Sequence, residues 1–134
     1  MNCVTHTVNL VIEAGGTLDK DFRWKYADSY SHIHGFTAVF VGKKKYTSDE
    51  NLFSLTSIET PWSADGDSGV YILDDDADAD LFGKYKLYLK DDLTKTLCDT
   101  KKTIVGVYDV FLLNISGEAV LRQTGTLTIN VSAI

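Results

Sequence analysis

The stretch Gly125-Thr-Leu-Thr-Ile-Asn-Val-Ser-Ala-Ile134 alternates apolar with polar residues. Leu127, Ile129 and Val131 fall on one side of an extended chain, and the residues between them fall on the other. Successive side chains of a β-strand point to opposite faces of the sheet, so a period of two predicts a strand with one buried face. The stretch therefore predicts an integral strand of an antiparallel sheet.

The same pattern recurs upstream in short runs that are separated by turn residues. The further predicted strands are residues 7–13, 21–26, 36–41, 51–58, 70–73, 84–90, 104–115 and 119–123. Residues 91–98 form the one helix-like stretch, because acidic residues begin it and Leu93 and Leu97 stand four residues apart. About eight strands and one short helix favour an all-β antiparallel sandwich over alternating β-α units.

Length and charge restrict the classes of protein to which the chain can belong. A chain of 134 residues is long enough to bury its own core, so residues 1–134 are predicted to form a single domain. The net charge of -6 argues against nucleic-acid binding, because phosphate contacts need clustered cations and the only such run is Lys43-Lys44-Lys45. No apolar run is long enough to span a membrane and no leader is evident, so we expect folding in a cytoplasm.

Cys3 and Cys98 are the only cysteines in the sequence. They form neither a CxxC pair nor a metal-type spacing. A disulfide between them is conceivable, but reduced thiols are the prediction.

Residues 74–80 contain five aspartates and follow a predicted strand. Several carboxylates in one short loop are what Ca²⁺ requires. If Asp74 were the first ligand, however, Ala79 would stand where the helix-loop-helix calcium signature needs glycine, and Tyr85 where it needs glutamate. We interpret the run as a solvated hairpin tip and expect the lysines of residues 84–90 to face it. Weak calcium binding shared with Asp65 or Asp67 is the alternative.

His32 and His34 are the best-placed residues for catalysis or metal binding, and His6 or a cysteine could complete a ligand set. Two histidines two residues apart in a loop are a weak signal, however. The sequence shows neither a nucleophile elbow nor a third orienting residue, and it lacks the common phosphate-binding and zinc-protease motifs. We therefore predict no catalytic residue, no metal site and no cofactor.

The aromatic residues admit two interpretations, a buried core or a platform on which sugars stack. Most of them stand at core-facing positions of predicted strands, which favours burial. Trp62 lies in a loop beside Pro61 and is predicted to be exposed. The candidate interface residues are Trp62, Pro61, Tyr30, Lys43, Lys44 and Lys45.

The order of the segments resembles a known family. Residues 8–25 pass from a strand through a glycine turn to Phe22-Arg-Trp24, and Gly35-Phe-Thr-Ala38 follows. Later parts of the same resemblance are the hairpin at residues 69–89, the stretch 106–113 and the final strand. These features are similar to small virion proteins of tailed bacteriophages. The resemblance implies an immunoglobulin-like sandwich like the N-terminal domain of upper baseplate proteins, which bind the tail and carry receptor-binding parts.

The resemblance implies a non-enzymatic virion protein, assembled in the host cytoplasm and present in many symmetric copies that contact other virion proteins. Because the sequence stops at Ile134, we expect a stand-alone adaptor between fibres and tail. Capsid decoration is the near alternative. A carbohydrate-binding module is the rival from another class, and a metal-dependent hydrolase is a third.

Overall fold

The computed structural model describes residues 4–26, 29–30, 32–75, 77–97 and 103–131. Cys3 and Cys98 lie outside these residues. The strands are β1 (Val4–Thr7), β2 (Leu10–Glu13), β3 (Leu18–Arg23), β4 (Lys25–Tyr26), β5 (Ser29–Tyr30), β6 (Thr37–Lys43), β7 (Asn51–Thr56), β8 (Gly69–Ile72), β9 (Lys84–Leu89), β10 (Ile104–Leu113) and β11 (Ala119–Asn130). The α-helix α1 (Asp91–Leu97) follows β9, and a single 3₁₀ turn covers Ala79–Leu81.

Two sheets pack face to face. The larger sheet has the order β1-β11-β10-β6-β7, with β2 also paired to β11, and the smaller sheet has the order β3-β9-β8. β4 and β5 form a separate two-stranded ribbon. The prediction of an all-β sandwich with one short helix is confirmed.

The N-terminal edge of the larger sheet differs from the predicted antiparallel pattern. β1 and β2 both pair with β11 in parallel, through Val4↔Leu121 and Leu10↔Leu127. Residues 8 and 9 interrupt this edge and divide the predicted strand 7–13. β11 in turn runs without interruption through Gly125, where two strands were predicted. A parallel partner was not readable from the sequence, because alternation specifies which face is buried and not the direction of the neighbour.

The core lies between the sheets and contains a small buried polar network. The Tyr85 hydroxyl of β9 donates to the side-chain oxygen of Gln123 in β11, so the network joins the two sheets. The Gln123 amide donates to the Tyr108 hydroxyl at 2.9 Å, and that hydroxyl donates to the Val8 carbonyl oxygen at 2.7 Å. Buried polar groups are costly unless they are paired. The network therefore fixes β9, β10 and the N-terminal edge relative to β11.

We expect the sandwich to lose stability as the pH rises above about 10, the ordinary pKa of tyrosine. Burial raises the pKa of Tyr85, and the charge of Tyr108 adds to this effect. Burial also raises the pKa of Tyr108. A folded-state pKa above the unfolded one means that stability is complete below the unfolded value and declines above it. The urea midpoint should therefore be lower at about pH 11 than at about pH 8. The same midpoint at both pH values would contradict this expectation.

Candidate interaction surface

The structure does not bring the six predicted interface residues together. Pro61 is exposed, and Trp62 is partly buried against the outer face of the smaller sheet. Tyr30 belongs to the separate ribbon and is 45% exposed, with the Arg23 guanidinium 3.4 Å from its ring centroid. Lys43 ends β6, while Lys44 and Lys45 are exposed in the following turn. The predicted residues thus lie at three separate places.

The prediction of an exposed Trp62 is wrong, because its ring covers part of the smaller sheet. The Trp62 ring centroid lies 5.9 Å from that of Tyr88 in edge-to-face geometry. The Lys86 ammonium lies 4.2 Å from the Trp62 ring centroid. The Trp62 indole nitrogen is buried and has no hydrogen-bond partner among the described residues. The loop position beside proline predicted exposure, but in the folded chain the ring packs against Tyr88 and Lys86 of β9.

The segment 60–68, which leads from β7 to β8, covers the outer face of the smaller sheet. The Tyr88 hydroxyl donates to the carbonyl oxygen of Ala64 at 2.8 Å, and the Tyr71 hydroxyl donates to that of Asp67 at 2.6 Å. Both tyrosines are at most 5% exposed. The outer faces of β8 and β9 are therefore covered, whereas Asp19 and Asp21 of β3 stay exposed.

Lys86 is held beneath this cover by two carboxylates of β3. Its ammonium contacts Asp19, and it lies 3.0 Å from Asp21. Burial acts to lower the pKa of Lys86, but the hydrogen bonds and charges of the two aspartates outweigh it, so the pKa lies above its ordinary value. The expectation that the β9 lysines face the acidic turn is wrong for Lys86, since its partners lie across the sheet.

The outer face of the larger sheet, which we call the open face, has no such covering segment in the described part of the chain. Two outward positions on each of β6 and β10 are valine: Val39 and Val41 on β6, and Val105 and Val107 on β10. The register pairs Val41 with Asp109 and Val39 with Phe111. At the end of the face where β10 begins, Val105 is 66% exposed, and Val11 of β2 is 59% exposed. The outward side chains of the central strands are Val39, Val41, Lys43, Val105, Val107, Asp109, Phe111, Leu113, Arg122, Thr124, Thr126 and Thr128.

Tyr46 lies across the centre of the open face. Its hydroxyl is 2.6 Å from the Thr124 hydroxyl, so the ring reaches from the β6–β7 turn over the sheet, and it is still 50% exposed. Arg122 donates to the Asp109 carboxylate at 2.7 Å and lies 5.8 Å from the Phe111 ring centroid. Because this ion pair is internal, the charges of Asp109 and Arg122 offset each other.

The open face carries several residue types that protein interfaces favour at their centre, beside polar threonines and one ion pair. Protein interfaces are depleted of charge at their centre and enriched in tyrosine, phenylalanine and arginine. The sequence prediction missed Tyr46 and Phe111. A usable signal was present, because β6 and β10 carry apolar residues at both parities, and strands of that kind are usually buried on both faces.

His32, His34 and Asp74 lie close together where the loop before β6 meets the start of β9, and we call this end of the sandwich the upper end. Asp74 is 4% exposed, and its Oδ2 accepts from the Ile33 amide at 2.6 Å and from the Gly83 amide at 2.9 Å. His32 Nδ1 lies 3.6 Å from Asp74 Oδ1, and His34 Nδ1 lies 3.1 Å from the Asp74 carbonyl oxygen. The interpretation of residues 74–80 as a solvated tip is therefore wrong for Asp74. Asp75, Asp78 and Asp80 are exposed, while Asp76 lies outside the described residues.

Three or more histidine, cysteine, aspartate or glutamate side chains do not converge on a common metal position within the described ranges. None of the helices described is both long and apolar enough to span a membrane. No protein-family model matches the sequence, and no curated protein matches it significantly.

Proposed function

We propose that the protein is a non-enzymatic structural module that docks onto other proteins through the open face of its larger sheet. One observation carries this proposal: the two outer faces of the sandwich are treated differently. The outer faces of β8 and β9 are covered by the chain's own segment 60–68, whereas no comparable segment of the described residues covers the apolar outward positions of β6 and β10. Apolar outward residues on a sheet mark an interaction site when they form a contiguous patch.

The size of the open face is adequate for docking. With strands about 4.8 Å apart and residues about 3.3 Å apart, five strands and the ten residues of β10 give a face of about 20 by 30 Å, or about 600 Å². Stable interfaces bury about 800 Å² per partner. The open face therefore supplies most of a standard interface, and neighbouring loops can supply the remainder.

The resemblance to phage virion proteins gives the proposal its specific form. We propose an adaptor in the tail or baseplate, present in many copies, which joins receptor-binding fibres to the tail. Decoration of a capsid uses the same kind of surface and is the near alternative. Both roles need a rigid sandwich and a docking face, and neither needs a catalytic group.

The carbohydrate-binding alternative receives less support from the geometry. Trp24, Tyr71, Tyr85 and Tyr88 are at most 8% exposed, so they present no platform to a sugar. Tyr30 is exposed, but Arg23 lies over its ring. In the part of the chain that the structure describes, we find no flat aromatic pair open to solvent.

The open face is tested by adding charge to it without disturbing the core. We expect the double variant Val105→Glu/Tyr46→Ser to bind purified tails or capsids at least tenfold more weakly than the wild type. The new glutamate places an unpaired charge in the contact, and Tyr46→Ser truncates a tyrosine, a residue type enriched among hot spots that each contribute about 2 kcal/mol or more. Co-sedimentation of labelled protein with the particles measures the change.

The matched control is Ile115→Glu, which alters an 83% exposed apolar residue in the β10–β11 turn, beyond the opposite end of β10 from Val105. Its binding should stay within about twofold of the wild type, less than the cost of one hot-spot residue. Equal binding by the double variant and the control would exclude the open face as the docking surface. Binding of soluble glycans by the isolated monomer, with no binding to the particles, would favour the carbohydrate alternative.

A further inference from the structure

An open stretch of strand edge lies beside β8, at the upper end of the sandwich. After Thr56, β7 leaves β6 and the chain crosses towards the smaller sheet. Ser57 forms an isolated parallel bridge with Val70, and the Ile58 amide donates to the Val70 carbonyl oxygen at 2.9 Å. The chain then turns away to become the segment 60–68. The outer edge of β8 is therefore paired at Val70. Beyond Val70 the segment that contains Ser57 and Ile58 no longer runs beside β8.

The register shows which backbone groups this departure exposes. The Leu73 amide donates to the Lys84 carbonyl oxygen at 3.0 Å, so Leu73 points its backbone groups towards β9. In an antiparallel ladder alternate residues point their backbone groups to opposite sides, so the N–H and C=O of Ile72 point away from β9. The next carbonyl on that side, of Asp74, lies 3.1 Å from His34 Nδ1. The backbone of Ile72 has no partner among the described residues, and it lies between two positions that are occupied.

A groove of about 630 Å³ lies beside this unpaired position. β6 supplies one wall, the departing chain at residues 56–59 supplies another, and Ile72 and Asp74 supply the third. A second groove, which also contacts Pro61 and Trp62, shares His34, Ile58, Glu59, Ile72 and Asp74 with the first. The two grooves thus form one continuous channel along the edge of β8.

The channel has an acidic character. Glu59 and Asp75 line it and are exposed, and Asp74 lines it from its buried position. No lysine or arginine is among the lining residues of either groove, and His34 is the only one that can carry a positive charge. Asp74 Oδ1 is buried and accepts no hydrogen bond from the described residues, although His32 Nδ1 lies 3.6 Å from it. A guest that carries positive charge therefore complements this channel.

We propose that this channel binds an extended segment of a partner protein that carries lysine or arginine. One residue of the segment pairs with the N–H and C=O of Ile72 and so extends the outer edge of β8 by strand addition, which is an established mode of peptide recognition. The basic side chain lies near Glu59 and Asp75, and an apolar neighbour packs against Ile58. This site is separate from the proposed function, because its recognition depends on Ile72 and not on the centre of the open face.

The proposal is tested with a displayed library of random heptapeptides, selected against the full-length protein. We expect the selected peptides to lack proline at the pairing position and to carry lysine or arginine. Ile72→Pro should weaken their binding roughly tenfold or more, because it removes the amide that pairs with the guest. Since the Ile72 amide does not pair with β9, this change leaves the internal ladder intact, and proline is tolerated on edge strands.

The charge is tested separately with Glu59→Gln/Asp75→Asn, which should weaken binding several-fold and more so at low salt. Slower hydrogen exchange of the Ile72 amide on addition of the best peptide provides a measurement on the wild type, in case Ile72→Pro fails to fold. The proposal is overturned if no peptide is enriched, if enriched peptides bind Ile72→Pro equally well, or if the Ile72 amide exchanges at the same rate with and without peptide.

Discussion

Replacement of Asp74 by alanine should destabilise the protein by about 3 to 5 kcal/mol, although the residue belongs to an acidic run. The Asp74 carboxylate accepts hydrogen bonds from the amides of Ile33 and Gly83, and thereby joins the loop before β6 to the start of β9. Alanine leaves both amides without their charged acceptor in a buried site. Each hydrogen bond to a charged group contributes about 1.5 to 3 kcal/mol, and unpaired buried donors cost more than the bond is worth.

The matched control is Asp80→Ala, which removes an exposed aspartate from the same run. Its effect should stay within about 0.5 kcal/mol, as for most surface substitutions. Urea denaturation of both variants measures the difference. Asp74→Asn should fall between them, because an amide oxygen still accepts a hydrogen bond but carries no charge. Equal stability of Asp74→Ala and Asp80→Ala would show that the carboxylate does not fix this corner.

Gly125→Ala should have a similarly large effect, because there is no space for a side chain at this point of β11. A Cβ atom at Gly125 would lie 2.1 Å from the Val8 carbonyl oxygen and 3.1 Å from Asn9 Oδ1. The edge cannot shift easily, since the Val8 amide donates to the Thr124 carbonyl oxygen just before the glycine and Leu10 pairs with Leu127 just after it.

The clash should therefore detach β2 and expose Leu10 and Ile12, which are at most 5% exposed. Burial of one such side chain contributes about 1.5 to 3 kcal/mol, so the expected loss is about 3 to 6 kcal/mol. Thr126→Ala, at the next residue and on the exposed face, is the control and should cost less than about 1 kcal/mol. Calorimetric melting compares the two variants. If Gly125→Ala and Thr126→Ala have the same melting temperature, residues 8 and 9 move to make room for the new Cβ atom without loss of stability.

The strands and the helix could be predicted because local signals decide them. The helix was predicted at residues 91–98 and runs over Asp91–Leu97. The hairpin of β8 and β9 and the turn after β10 were also predicted, since alternation and turn residues act within a few positions. These signals fix elements and buried faces, and together they specified the sandwich class.

The failed predictions all depended on distant partners. Asp74 is buried by a loop 41 residues away, and Trp62 is partly buried against β9. Lys86 pairs with β3 and not with the nearby aspartates. In each case the neighbouring sequence is typical of a surface residue. The partner that allows the residue to be buried comes from a distant part of the chain and is brought close only by folding.

The open face was missed for a different reason. Trp62 and the lysine run were predicted as interface residues from their loop-like surroundings, whereas Val11 and Val105, which are exposed, lie on strands. Valine at outward positions of β6 and β10 was visible from the start. Only the structure distinguishes a face that the chain covers itself, as over β9, from one that it does not.

The most direct test of docking through the open face is an electron cryomicroscopy reconstruction of a particle that contains the protein, at a resolution that places side chains. Docking through the open face predicts that Tyr46, Phe111 and Val105 lie against a neighbouring protein, with segment 60–68 away from that contact. A map in which segment 60–68 makes the contact and the open face meets solvent would contradict it.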